Sequence, residues 1–404
     1  MANAEHLAFI KQGVAVWNQW YREHKVIPDL CEANLSNLNL SGINLKKANL
    51  SGANFSNTDL SNARLANANL NRSSLLGADL SDANFKGANL DYAIFSQSKI
   101  SRKTIIADKY LRVYEIVNHR VSSKELSGID LSNSNLFRAD LSQADLSNSK
   151  LNNTNLNSAN LSNAYLYRAD LTNANLQNAN LKNTYFSQAN LAKVDLSGAL
   201  CCGTYFIDAD LSLANFKTTK FSQKTAIDSK WYSVWEIVNG GAVGKNLSGA
   251  DLRNANLQEV DFKEANLTNA KLTHAILRRS NFERANLTNT DLVGANVCGV
   301  DLAQAQLKGT KLKSIVSDRF TKLAAVGSSS KNNLMLDGKP LATETLATPS
   351  NSTIVQSNGK SPRKAIAWLL LAIIVSLGAV GYVLFGTNSD ATWSERLQNW
   401  QQQL

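Results

Sequence analysis

A large apolar residue returns at every fifth position through most of this chain before residue 312. In the first stretch it runs Leu35, Leu40, Leu45, Leu50, Phe55, Leu60 and onward through Phe85, Leu90 and Phe95 to Ile100. Two positions earlier the residue is usually Ala, as at Ala33, Ala48, Ala53, Ala63 and Ala68, or a small substitute such as Thr58 or Ser73. Asn or Asp stands between them and Ser or Thr often follows, so the unit reads Ala-(Asn/Asp)-Leu-(Ser/Thr)-x. A second block spans Leu126 to Phe221 and a third Leu247 to Leu312. Neither a helix nor a plain strand has this period, since their side-chain repeats are 3.6 and 2.0. Five residues predict one short straight side with two inward positions, Leu on the axis and Ala where only a small group fits. One such side cannot bury its own apolar face, so many must stack.

Residues 20 apart then report how many sides close a coil. Thr184-Tyr185-Phe186 returns as Thr204-Tyr205-Phe206, and Tyr165 extends the column to Tyr165, Tyr185, Tyr205. Phe262 and Phe282 share that spacing, and Asp251, Lys271, Asp291 and Lys311 alternate in sign along it, as do Asp130, Lys150 and Asp170. Opposite charges on neighbouring rungs attract; Asp59 and Asp79 are the exception. Four pentads per coil follow, and about 48 pentads at a rung spacing of about 4.8 Å give about 12 coils and a length of roughly 55–60 Å.

Units such as Ala53-Asn54-Phe55-Ser56-Asn57 and Ala78-Asp79-Leu80-Ser81-Asp82 resemble the pentapeptide repeat family. The resemblance implies an all-β solenoid, a right-handed four-sided β-helix with Leu and Ala inward. The segment before the repeats and the Trp-Glu-Ile-Val-Asn insert resemble those of cyanobacterial members. Some members imitate duplex DNA and shield type II topoisomerases, which implies an acidic rod; here the net charge is +10. That charge is spread along the chain without a concentrated basic run, so no nucleic-acid partner is expected.

The frame breaks twice in the same way. Lys109-Tyr110-Leu111-Arg112-Val113-Tyr114-Glu115-Ile116-Val117-Asn118 matches Lys230 to Asn239 at an offset of 121. Apolar residues at 110, 113, 114 and 117, and at 231, 234, 235 and 238, predict amphipathic helices, with Asp108 and Ser229 as N-caps and Gly240-Gly241 as a stop. Such a helix either presents Trp231 and Trp235 to a partner or plugs one coil stack and starts the next, because solenoid ends require covering. Leu7, Ile10, Val14, Trp17 and Tyr21 predict a helical face at the N-terminus, while Ser314 to Val326 resembles only the start of a third insert.

The domain reading is a helical cap at 1–27, repeats at 28–100, 126–221 and 247–312, and inserts at 101–125 and 222–246. A cap remnant and linker at 313–363 lead to a membrane helix at 364–386 and an amphipathic tail at 387–404. The four Pro lie outside the rungs or at their margin, and 327–363 is rich in Ser, Thr and Asn without periodicity, as a tether is. Ala365 to Phe385 carries no charge, and its 21 residues span about 31 Å, the thickness of a hydrocarbon core. Lys360, Arg363 and Lys364 precede it, which predicts a cytoplasmic solenoid with the tail outside.

Catalytic chemistry is missing from the sequence. His6, His24, His119 and His274 are scattered, and no phosphate loop, nucleophile elbow or metal-ligand spacing occurs. Cys201 takes a core Leu position and reads as filler; with Cys31, Cys202 and Cys298 it forms no disulfide framework. The expectation is therefore no enzyme, cofactor or small-molecule substrate, but a membrane-tethered scaffold for an unidentified protein partner. The Tyr165, Tyr185, Tyr205 column is its candidate contact patch, the alternative being a ladder that only stiffens the rod.

Overall fold

The computed structural model describes residues 2–24, 26–119 and 126–323, with the backbone of 335–336 and 339–340. The chain divides into two compact units, Met1–Ala342 and Thr343–Leu404, and the described residues belong to the first. The expected span at 365–385 and the tail at 387–404 lie outside the described residues. Among the described residues no helix is long and apolar enough to cross a membrane.

Within a stack, rungs pair in parallel with those 20 residues on, as in Asp29, Asn49, Asn69 and Asn89 or Asn155, Asn175 and Asp195. Four pentads therefore make one coil of a β-helix. Between rungs, Leu50 N–H donates to the Asn69 carbonyl at 2.8 Å and Asn69 N–H to that of Ala48 at 2.9 Å. The period-five Leu and Phe side chains form the axial core: Leu35, Leu50, Phe55 and Leu60 are fully buried, as are Ala53 and Ala63. Burial of each Leu contributes about 1.5–3 kcal/mol relative to exposure. Where Thr replaces Ala its hydroxyl finds a carbonyl one coil away, Thr58 on Leu35 at 2.7 Å and Thr184 on Leu161 at 2.8 Å. A buried hydroxyl is costly without such a partner, and Ser73, buried at the same pentad position, lacks one.

The corners explain the two remaining pentad positions. Ala53 N–H closes a turn onto the Leu50 carbonyl, and the third turn residue, Gly52, has φ +66°. Positive φ there is what a type II turn requires, and Asn is among the few side-chain-bearing residues that tolerate it. Asn57, Asn67 and Asn178 accordingly sit at φ 56–57° in the same place. The Asn or Asp before each Leu accepts the N–H two residues on, as Asp59 does from Ser61 at 2.9 Å. Its amide can also bridge coils, as Asn180 does to Asn160 at 2.9 Å. These carboxylates and amides shape turns.

Among the described residues, four helices interrupt or cover the coils. The helices α1 (Ala4–Lys11) and α2 (Val14–His24) replace the single N-terminal helix expected, because Gly13 at φ +110° breaks it. Ile10, Trp17 and Trp20 turn inward from the pair, while Val14 and Tyr21 are only partly buried. The inserts form α3 (Asp108–Asn118) and α4 (Ser229–Gly240). Asp108 and Ser229 are not the caps but the first helical residues; Ala107 and Asp228 occupy the cap positions and make no side-chain cap bond. The first turn of α3 instead closes on a backbone carbonyl, with Tyr110 and Leu111 N–H both donating to Ala107.

The ladder outlasts the period. Asn84 pairs with Ile105, Tyr205 with Ala226 and Asp301 with Lys322, each 21 residues apart. One extra residue enters the corner, where Ser101, Ser222 and Asp318 N–H donate to the hydroxyls of Thr104, Thr225 and Thr321. The sequence match at Ser314–Val326 is thus to this stepped corner; the first and second steps lead into α3 and α4.

Candidate interaction surface

Pairing of rungs 145 through 205 places Tyr165, Tyr185 and Tyr205 one above another on one flat face. Their rings stack at 5.0 and 4.7 Å with interplanar angles of 7° and 8°. Behind them Phe186 and Phe206 stack inside the core at 5.3 Å, so the Tyr-Phe dipeptides build an outer and an inner ladder together. Tyr165 and Tyr205 remain 51% and 41% exposed. The patch continues round the next corner through exposed Tyr167 and Ile207, two residues sequence reading missed. Their signal was a shared turn column two positions after the Tyr ladder. Gln188 holds that corner by accepting from the Tyr167 hydroxyl at 3.1 Å and Arg168 Nε at 2.9 Å. Packed rings of this kind offer contact area with few rotamers left to immobilise.

Trp231 and Trp235 lie elsewhere. Trp231 is 7% exposed, covered by Lys230 at 4.3 Å from its ring. Trp235 stacks on Phe221 at 4.8 Å and donates from Nε1 to the Thr219 carbonyl at 2.9 Å. Neither ring is presented outward, because both pack as parts of the plug; Tyr232 is the exposed aromatic of α4.

The plugs also replace missing rungs. Asn118 donates from Nδ2 to the Phe95 carbonyl at 2.9 Å and accepts from Gln97 N–H at 2.6 Å. Asn239 repeats this on Phe216 at 3.0 Å and Thr218 at 2.7 Å. At the first coil Asn18 donates to the Gly42 carbonyl at 3.1 Å and accepts from Asn44 N–H at 2.7 Å. One carboxamide satisfies a donor and an acceptor that a further coil would otherwise take.

Among the described residues no cluster of His, Cys, Asp and Glu has the geometry to hold a metal. Burial pushes the Cys201 thiol well above its ordinary range, which suppresses the reactive thiolate. A cavity of about 410 Å³ beside α3 is lined by Ile100, Arg102, Leu111, Tyr114, Glu115 and His119, among others.

The family model described as "Pentapeptide repeats" matches residues 29–102, 125–223 and 246–315. Among solved structures, the chain is similar to HetL, a pentapeptide repeat protein involved in heterocyst differentiation regulation in the cyanobacterium Nostoc sp. strain PCC 7120. It shares 26% identity over 70% of this chain and 92% of that one, at a TM-score of 0.17. QnrB1, a plasmid-mediated fluoroquinolone resistance protein, shares 19% identity over 50% and 88%, at a TM-score of 0.20. Rfr23 from the cyanobacterium Cyanothece 51142 shares 21% over 52% and 97%, at a TM-score of 0.12. No curated protein sequence matches this chain.

Proposed function

From the premise that this chain belongs to the pentapeptide repeat family, we propose that it is a non-catalytic scaffold whose Tyr face docks a protein partner. The observation that carries this reading is the stacked Tyr165, Tyr185, Tyr205 column, exposed at Tyr165 and Tyr205 and extended by Tyr167 and Ile207. Rigid Tyr rings are the residue type that concentrates binding energy at protein interfaces. A ladder that served only to stiffen the coils would gain nothing from Ile207, which is exposed at the adjoining corner. In this proposal the uncharged run Ala365 to Phe385 tethers the scaffold to a membrane, its basic flank keeping the solenoid cytoplasmic.

The test is crosslinking in native membranes, comparing the full chain with a Tyr165→Asn, Tyr185→Asn, Tyr205→Asn variant. Loss of a specific crosslinked protein supports the patch; an unchanged set of crosslinked proteins refutes it. The tether is read separately, by adding protease to sealed right-side-out vesicles, where digestion of 30–312 without lysis would reverse the orientation. The topoisomerase-shielding role implied for some family members fits poorly with a net charge of +10, and gyrase protection at stoichiometric levels would restore it.

A further inference from the structure

The end of the third coil stack differs from the ends that α3 and α4 cover. In the coil before it, Leu287, Asn289, Leu292 and Gly294 N–H donate to the carbonyls of Gln306, Lys308, Lys311 and Lys313 at 2.8–3.0 Å. One coil later the N–H groups of Leu307, Gly309, Leu312 and Ser314 have no acceptor among the described residues. The Leu312 carbonyl and Ser314 N–H stand where Asn118 and Asn239 clamp the earlier ends, and no described carboxamide meets them. Leu307, Leu312 and Leu323 are only partly buried there.

Positive charge is concentrated at this end. Residues 303–323 carry Lys308, Lys311, Lys313, Arg319 and Lys322 against the single acid Asp318. Lys311 and Lys322 lean back on Asp291 and Asp301 at 3.9 and 3.1 Å. The Asp318 carboxylate is taken up by Gly299 N–H at 2.9 Å, Phe320 N–H at 3.1 Å and the Thr321 hydroxyl at 3.1 Å. Lys308, Lys313 and Arg319 meet no carboxylate among the described residues.

An independent change in residue type accompanies the charge. At the two earlier stepped corners the equivalent positions hold Lys99 with Lys103, and Lys220 with Lys224. Here they hold Val316 and Phe320, which are 51% and 62% exposed, with Arg319 set 4.7 Å from the Phe320 ring centre. Among the described residues, cations with no carboxylate partner, amides with no acceptor and outward apolar groups share one end.

We infer that this end of the coil stack is a contact surface for an anionic lipid bilayer. Headgroup phosphates and carboxylates meet Lys308, Lys313 and Arg319, while Phe320 and Val316 enter the boundary with the acyl region. A polyanion such as duplex nucleic acid would use the cations and leave the two apolar side chains unmatched. The inference needs no membrane span, since its surface belongs to the described coils.

Amide hydrogen exchange of the full chain reads this surface directly. Vesicles of phosphatidylcholine containing about a third phosphatidylserine should protect 303–323, and phosphatidylcholine alone should not. Molar salt should abolish the protection. Each cation near an anionic surface strengthens binding roughly fivefold, so Lys308→Gln, Lys313→Gln, Arg319→Gln should weaken it about 100-fold. Unchanged exchange at 252–287 reports that the variant keeps its ladder; were the variant unfolded, the wild-type lipid and salt dependence decides. Equal exchange on the two vesicle types overturns the inference, as does retained protection in a folded triple variant or stronger protection by duplex DNA.

Discussion

The two plugs are the same device with different fillings. Asn118 and Asn239 make the same pair of hydrogen bonds at the same offset of 121 residues, yet their surroundings have diverged. At α3 the anchoring is polar: Lys109 and the Tyr110 hydroxyl both reach the Asp91 carboxylate at 3.0 Å. At α4 the position equivalent to Asp91 is Ser212, and the anchoring is aromatic, with Trp235 on Phe221 and Lys230 over Trp231. Ile100 and Tyr114 stand where α4 has Phe221 and Trp235, and both line the open cavity beside α3. The comparison separates two demands at a coil end. Backbone polarity must be answered in one particular way, whereas volume can be filled, or left open, in several.

The largest effect should come from removing the aromatic filling. Trp235→Ala should cost α4 and its underlying coil about 3–5 kcal/mol of local stability, read as faster amide exchange over 216–240. Tyr114→Ala, already beside open space, should cost α3 less. Equal losses would mean that the two fillings do equivalent work. Next in size, Asn118→Ala and Asn239→Ala should each cost about 1–3 kcal/mol, because each leaves a donor and an acceptor without a partner. Here the comparison requires similar values at the two plugs, and a large disparity in exchange would break it.

A smaller gain is expected from making the first plug resemble the second. Ile100→Phe with Tyr114→Trp should stabilise α3 by about 1 kcal/mol if the cavity accepts the added volume. Slower exchange over 95–118 would show it; faster exchange would mean overpacking. The smallest effect concerns Asp251, whose carboxyl is held down at about 2, chiefly by the Arg253 side chain at 2.7 and 2.9 Å. A folded-state value below the ordinary one makes its contribution complete above about pH 4 and lost as pH falls toward 2. At the equivalent Asp130 burial pushes upward, but hydrogen bonds from Ser132 and the charges of Lys109 and Lys150 still leave it lowered. In a carboxyl NMR titration Arg253→Gln should raise the Asp251 midpoint and leave Asp130 unmoved. An unshifted Asp251 would assign the depression to another cause.

The coil architecture was legible because period and column spacing are geometric: Leu every five residues and Tyr every 20 admit few foldings. The Tyr column was legible for the same reason. The stepped corner was harder, since one residue added at Ser101 or Ser222 ends the period without ending the ladder. The clamping amides were hidden by composition. Asn recurs throughout the rungs, so Asn118 and Asn239 carry no mark beyond their place in the 121-residue match, and Asn18 has no match at all. Trp231 and Trp235 misled because helical amphipathicity reports an apolar face without saying which body covers it. The cationic end escaped because its five cations, Lys308 to Lys322, fall in ordinary pentad positions, and the sequence does not mark which of them meet a carboxylate.

The offset of 121 residues between the plugs has a consequence for how such a chain can change its length. Removing residues 102–222 would join Ser101 to Gln223 and rebuild a stepped corner with Lys224 and Thr225 in place. The first stack would then run straight into α4, with Asn239 positioned for the same clamp. Inserting a second copy of that stretch would lengthen the molecule by the same increment. Within a stack, cuts that are not multiples of 20 residues would move a Leu from the axis to a corner or leave a plug facing the wrong edge. Unequal recombination between the two matching stretches would therefore yield foldable products in whole modules, so that a genetic accident at this locus changes the protein's reach in fixed quanta.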